Sequence, residues 1–207
     1  SMVKTMSREE AGEKKLYHLI GNAIDKRYIE ALKSQSIHPE VTHEMGKDIK
    51  IVYTPLHGAG NKPVQRVLEE LGFEHVYVVP EQELPDGNFP TVDYPNPEVA
   101  KAYELALKLA KKVDADIILA TDPDSDRLGI QVKDAKTGDY IFYSGNMTAL
   151  LIAEYILSQR KENGTLPKNG AMVKTIVSSN LTDAIADYYK MHLIETLTGF
   201  KYIGEQI

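Results

Sequence analysis

Asp122, Asp124 and Asp126 alternate with other residues in the run Thr121-Asp122-Pro123-Asp124-Ser125-Asp126-Arg127. The apolar stretch Ile117-Ile118-Leu119-Ala120 leads directly into it. Carboxylates this close repel one another, and a cation held between them relieves the repulsion. Aspartate oxygens are hard donors, which favours Mg²⁺, Mn²⁺ or Ca²⁺ over Zn²⁺. Asp, Pro and Ser are equally the residues of a polar turn that ends a strand. Spacing alone leaves both readings open.

Two known metal motifs can be tested against the run. An EF-hand loop also begins Asp-x-Asp-x-Asp, but it requires Gly in the sixth place and a bidentate Glu in the twelfth. Those places hold Arg127 and Lys133, and the preceding element reads as a strand, so the EF-hand is excluded. A dehalogenase-type Mg-dependent phosphatase, with Asp122 as nucleophile, also carries Asp-x-Asp after a strand. It expects Thr or Val where Asp126 stands, and a downstream Lys with an acidic pair, for which the sequence offers no convincing set. A non-catalytic metal or sugar-phosphate binding module is a further alternative.

The run resembles the metal loop of the α-D-phosphohexomutases, the phosphoglucomutase/phosphomannomutase family, whose usual form is Asp-Gly-Asp-Gly/Ser-Asp-Arg. Pro123 departs from that form. Further stretches are similar to the same family in the same order: Thr54-Pro55-Leu56-His57-Gly58-Ala59-Gly60, Pro85-Asp86-Gly87 leading to Phe89-Pro90, Pro95-Asn96-Pro97-Glu98, and Thr198-Gly199-Phe200-Lys201. The resemblance implies an isomerase-class intramolecular phosphotransferase that interconverts hexose 1-phosphate and hexose 6-phosphate through a phosphoserine and hexose 1,6-bisphosphate. It implies Asp122, Asp124 and Asp126 as ligands of Mg²⁺, and Arg127 as a residue that binds phosphate or braces the loop. Thr198, Gly199 and Lys201 would bind sugar and phosphate, and His57 and Gly58 would stand behind the metal ligands and support them. Glu205 follows Gly204 in a way that suggests the family's sugar-hydroxyl loop, but that loop lies further downstream, and Glu205 is given no substrate role. The Thr-Ala-Ser-His-Asn-Pro-type phosphoserine motif has no counterpart here, and Ser178-Ser179 lacks its flanking residues. On this resemblance the chain is expected to be an internal piece, inactive alone, with no catalytic residue of its own. Ser1-Met2 is set aside as a foreign leader.

The elements that must position these residues follow from periodicity. The resemblance implies the fold class and its division: α/β, a three-layer mixed sheet with helices on both faces, followed by the first βαβ part of a second similar domain. On that resemblance residues 1–24 are a linker or N-terminal segment, 25–160 the domain with the metal loop, 161–170 a linker, and 171–207 a truncated start of the next domain. Asp25 is expected to cap a helix from Lys26 to about Lys33, with Tyr28, Ile29 and Leu32 buried. Ile49 to Tyr53 reads as a strand, followed by a glycine turn and a helix burying Val64, Val67, Leu68 and Leu71, which stops at Gly72. Glycines ahead of a helix N-terminus suit close approach of an anion, and suit a tight βα turn equally. His75 to Val79 is a second strand. A stiff, proline-punctuated connection then leads to a helix with Asn96 as N-cap, Pro97 at its first position and Lys111-Lys112 at its end. Asp116 to Ala120 is the strand that delivers the aspartates. Leu128 to Val132 and Tyr140 to Tyr143 form a hairpin, and Ser144 caps a helix from Asn146 to Arg160. Strand Ala171 to Ser178, helix Leu181 to Lys190 and strand Leu193 to Glu195 complete the chain.

Composition narrows the function class. A net charge of −6 and a pI near 5.5 argue against a nucleic-acid surface. The absence of Cys removes disulfides, thiolate nucleophiles and zinc–thiolate sites. With 43% hydrophobic residues the chain can build a core, yet no apolar run reaches membrane-span length. The expectation from composition is a soluble cytoplasmic protein with no membrane or nucleic-acid partner; hexose phosphate as its ligand is what the resemblance implies.

Overall fold

The structure, a computed structural model, describes residues 4–207. It divides into two units, Ser1–Ser36 and Ile37–Ile207. In the first, α1 (Arg8–Glu13) closes because the Ser7 hydroxyl accepts the Glu10 N–H at 3.1 Å, which gives the polar segment one ordered turn. Helix α2 spans Gly21–Lys33, starting ahead of Asp25, so Asp25 lies inside the helix and does not cap it. Ile29 is buried as expected, whereas Tyr28 is 56% exposed.

The second unit opens with α3 (Pro39–Met45), a helix that the periodicity did not announce; Pro39 stands in its first turn. The strands β1 (Lys50–Thr54) and β2 (His75–Val78) flank α4 (Asn61–Glu70). Gly72, at φ +97°, ends the α4 segment as its sequence suggests. The helix expected from Pro97 begins later. Asn96 accepts the Glu98 N–H at 2.8 Å, but this closes only a local turn. A 3-10 turn at Ala100–Tyr103 precedes α5 (Glu104–Val113). The cause is tertiary: the Tyr103 hydroxyl donates to the Pro97 carbonyl at 2.9 Å, which holds that carbonyl out of a helical ladder.

Then come β3 (Ile117–Thr121), β4 (Leu128–Lys133), β5 (Tyr140–Tyr143), α6 (Gly145–Glu162), β6 (Ala171–Thr175), α7 (Leu181–Tyr189), β7 (His192–Thr196) and α8 (Phe200–Gly204). β6 is shorter than read, because the Ser178 N–H folds back onto the Thr175 carbonyl at 2.9 Å. Ser144 caps α6 by accepting the Met147 N–H at 3.3 Å.

The five-stranded sheet has the order β2-β1-β3-β4-β5. β1 is parallel to both β2 and β3, while β4 and β5 are antiparallel additions. The chain moves from β1 outward to β2, then back past β1 to β3. Right-handed crossovers in opposite directions put α4 and α5 on opposite faces, giving three layers. Val52, Ile118 and Ala120 from the sheet and Tyr103, Ala106 and Ala110 from the helical side form one buried core. Tyr103 meets Phe142 edge-to-face at 5.8 Å.

β6 and β7 pair in parallel around α7, the βαβ start expected for a second domain. There the buried Lys174 ammonium reaches Asp183 at 2.8 Å and Glu195 at 3.3 Å, tying strand to helix and strand to strand. Among the described residues no helix is long and apolar enough to cross a membrane.

Candidate functional site

β1 and β3 are parallel neighbours, with Thr54 opposite Ala120. Their following loops, 54–60 and 122–127, therefore emerge side by side at the carboxyl end of the sheet. This lies at the point where the strand order reverses, the usual ligand crevice of such folds.

Asp122, Asp124 and Asp126 converge in the second loop. One carboxylate oxygen from each lies within 4.8 Å of the others, with Asp122 buried and the other two exposed. The loop is shaped by its own backbone: Ser125 N–H donates to the Asp122 carbonyl at 3.0 Å, and Arg127 N–H donates to Asp122 Oδ1 at 3.1 Å. Ser125 sits at φ +62°, a left-handed position that L side chains seldom adopt and that shapes the turn between Asp124 and Asp126. The Arg127 Nε lies 3.8 Å from both Asp122 Oδ2 and Asp126 Oδ1, so one guanidinium offsets charge on two of the three carboxylates. The donor set is all carboxylate, with no nitrogen or thiolate, and its convergence fits a hard divalent cation.

The first loop buttresses the second. Ala59 N–H donates to the Pro123 carbonyl at 2.8 Å. A Cβ on Gly58 would run into the Pro123 backbone, 2.6 Å from its carbonyl oxygen. A Cβ on Gly60 would strike the Ser125 hydroxyl and come 2.9 Å from Tyr53 Oη and 3.0 Å from Thr121 Oγ1. The two glycines thus serve close approach between loops. Left-handed backbone falls instead on Leu56, at φ +48°, and His57, at φ +61°. Each such residue stores on the order of 1–3 kcal/mol of strain. Below the loops Tyr53 and Thr121 share a hydrogen bond of 2.8 Å, and burial pushes the Tyr53 phenol above its ordinary pKa.

The His57 ring is held by partners outside the aspartate loop. Its Nε2 lies 2.9 Å from Thr91 Oγ1 and its Nδ1 lies 3.3 Å from the Leu84 carbonyl. Behind it stand Thr54, which the sequence reading placed in the family-like stretch without a role, and Gln82, which it missed; both are fully buried. Gln82 lies between Glu81 and Glu83, so its neighbours mark it as solvent-facing and no periodic signal singles it out.

Thr198 and Gly199 form the exposed turn between β7 and α8, with Gly199 at φ +121°. Lys201 follows in α8 and its ammonium lies 4.6 Å over the Tyr202 ring. Among the described residues no hydrogen bond or ion pair joins this turn to the aspartate loop. The structure brings together Asp122, Asp124, Asp126, Arg127 and Gly58, and places Thr198, Gly199 and Lys201 on a separate element.

Comparison with known proteins agrees with this architecture. Residues 26–138 match the family described as phosphoglucomutase/phosphomannomutase, alpha/beta/alpha domain II, and residues 144–207 match alpha/beta/alpha domain III. The second match begins at Ser144 and so takes in α6, which sequence reading placed at the end of the preceding domain. A Haemophilus influenzae protein bearing the name probable phosphomannomutase is 41% identical over 158 residues, covering 76% of this chain and 31% of its own length. A Staphylococcus epidermidis phosphoglucomutase is 40% identical over 160 residues, covering 77% and 28%. The match thus spans under a third of these curated relatives. A Thermus thermophilus protein solved as a candidate phosphomannomutase shares the fold, with TM-score 0.65 and 24% identity over 88% of this chain and 38% of that one.

Proposed function

Because the chain belongs to the phosphoglucomutase/phosphomannomutase family, we propose that it supplies the cation-binding part of a cytoplasmic phosphohexomutase that interconverts hexose 1-phosphate and hexose 6-phosphate through a phosphoserine and hexose 1,6-bisphosphate. The observation that carries this reading is the convergence of Asp122, Asp124 and Asp126 within 4.8 Å, inside the segment matched to the family's second domain. The two relatives differ in the sugar they are named for, so the hexose is left unassigned.

Asp122, Asp124 and Asp126 would hold Mg²⁺, which in that position would offset charge on the phosphoryl group during transfer. Asp122, buried and fixed by the Arg127 N–H, sets the floor of the site, while the exposed Asp124 and Asp126 close over it. The Arg127 guanidinium offsets charge on Asp122 and Asp126 while no cation is bound, and an arriving phosphate oxygen would compete with them for it. The Thr198 hydroxyl, the Gly199 backbone and the Lys201 ammonium would receive the sugar phosphate, with Lys201 leaving the face of Tyr202 to do so. His57 and Gly58 act through the neighbouring loop. A phosphoserine of the Thr-Ala-Ser-His-Asn-Pro type is needed to accept the phosphoryl group. None lies within the 207 residues, so the chain alone is expected to be inactive.

The test is Mn²⁺ titration followed by electron paramagnetic resonance. One Mn²⁺ should bind per chain, with the affinity lost in Asp122→Asn and Asp126→Asn. Equal binding by wild type and variants would remove the aspartate loop from the reading.

A further inference from the structure

We infer that Gln82 is a positioning residue for the aspartate loop, acting through Thr91 and His57 on the turn that abuts it. The inference rests on the reading of Asp122, Asp124 and Asp126 as a cation site. A glutamine at 0% exposure must have both ends of its amide satisfied. Here Oε1 accepts from the Thr54 hydroxyl at 2.6 Å, and Thr54 Oγ1 in turn accepts the Leu56 N–H at 3.1 Å. Nε2 donates to Thr91 Oγ1 at 3.0 Å, which leaves the Thr91 hydroxyl proton for His57 Nε2 at 2.9 Å. His57 then carries its own proton on Nδ1 and donates to the Leu84 carbonyl at 3.3 Å. The main chain repeats the link: His57 N–H donates to the Gln82 carbonyl at 3.0 Å.

One side chain thus grips both residues of the turn that occupy left-handed backbone, Leu56 through Thr54 and His57 through Thr91. Strained conformations persist only where surrounding contacts over-determine them. The next residues along the chain, Gly58 and Ala59, are those that touch Pro123 inside the aspartate loop. If the grip is released, the turn relaxes, the Ala59–Pro123 hydrogen bond loosens, and the three carboxylates lose the wall that fixes their convergence.

Thr91 gives the cleanest test because it is exposed, so replacing it leaves the core intact. In the full chain, Thr91→Val should break the link between Gln82 and His57, while Thr91→Ser should keep it. Expected for Thr91→Val is at least a tenfold loss of hydrogen-exchange protection at the Ala59 amide, with the Ile118 amide of β3 unchanged. Mn²⁺ affinity should weaken about tenfold, as removal of partners behind metal ligands commonly does. The serine variant should restore both. Unchanged Ala59 protection in Thr91→Val, equal loss in Thr91→Ser, or lost protection without lost Mn²⁺ affinity would each overturn the inference. A wild-type chain that takes up no Mn²⁺ sinks the cation reading instead, and the exchange measurement still decides whether Gln82 positions the loop.

Discussion

Gly58 packs against Pro123 with no room between them for a side chain: a Cβ there would lie 2.6 Å from the Pro123 carbonyl oxygen and closer still to its Cα. The atoms in the way are backbone and cannot rotate aside. Gly58→Ala must therefore push the two loops apart. The expected cost is about 1–3 kcal/mol of stability, the usual penalty of overpacking. The more diagnostic outcome is a loss of Mn²⁺ affinity exceeding that of Gly87→Ala, where a Cβ meets nothing within 4 Å. Urea denaturation and Mn²⁺ titration of both variants check this.

Asp124→Asn separates charge from structure. Asp124 is exposed and contributes to the converging carboxylates. Removing its charge weakens attraction for a divalent cation and also relieves repulsion with Asp122 and Asp126. Without added metal the variant should melt no lower than wild type, while its Mg²⁺ and Mn²⁺ binding falls. A variant that melts lower but binds metal normally would assign Asp124 a structural role.

His38 predicts a pH dependence whose sign follows from its partners. Nε2 faces Gln159 Oε1 at 2.7 Å and Nδ1 faces Glu40 Oε1 at 3.2 Å, so both ring nitrogens meet acceptors and the charged ring suits the site. The Gln159 hydrogen bond, then that of Glu40, holds the imidazole above its ordinary pKa, with the charges of Glu40 and Glu162 adding to the effect. A group raised in the native state stabilises fully below its unfolded pKa, about 6.5, and that contribution fades as pH climbs through the native value. The melting temperature should therefore fall on going from pH 6 to pH 8 by more in wild type than in His38→Asn. Parallel pH profiles for the two proteins would show that the pairing of α3 with α6 carries no proton linkage.

How far the sequence could be read depended on whether an element was held by periodicity or by distant contacts. β3 and α4 follow apolar spacing, and the hairpin of β4 and β5 forms between the two strands read from the sequence, with Gly138 at φ +76° in its turn. α5 starts late because Tyr103 captures the Pro97 carbonyl, a contact that no local propensity encodes. α3 is short and lacks a side-chain cap, so it left little signal beyond Pro39. The aspartate loop was legible because its residue types and spacing are themselves the chemistry. Gln82 was not, because its burial depends on a turn and a distant threonine coming together only in the folded chain.

The affinity of the aspartate loop for Mg²⁺ sets two effects against each other. Three carboxylates attract the ion, and the buried Asp122 is already fixed by the Arg127 N–H. Against this, Mg²⁺ prefers a near-octahedral oxygen shell and sheds water reluctantly. Three aspartates supply only part of that shell. The Arg127 guanidinium, 3.8 Å from two of the carboxylates, repels the arriving cation and would lose those ion pairs if displaced. The second effect should dominate, leaving millimolar binding, or about −4 kcal/mol. Arg127→Gln should then tighten Mg²⁺ binding several-fold by removing the competing charge. Calorimetric titration of the wild-type chain and this variant decides the matter. A wild-type dissociation constant of about 1 μM, or about −8 kcal/mol, would mean that the three aspartates form a self-sufficient site and that Arg127 stands aside at little cost.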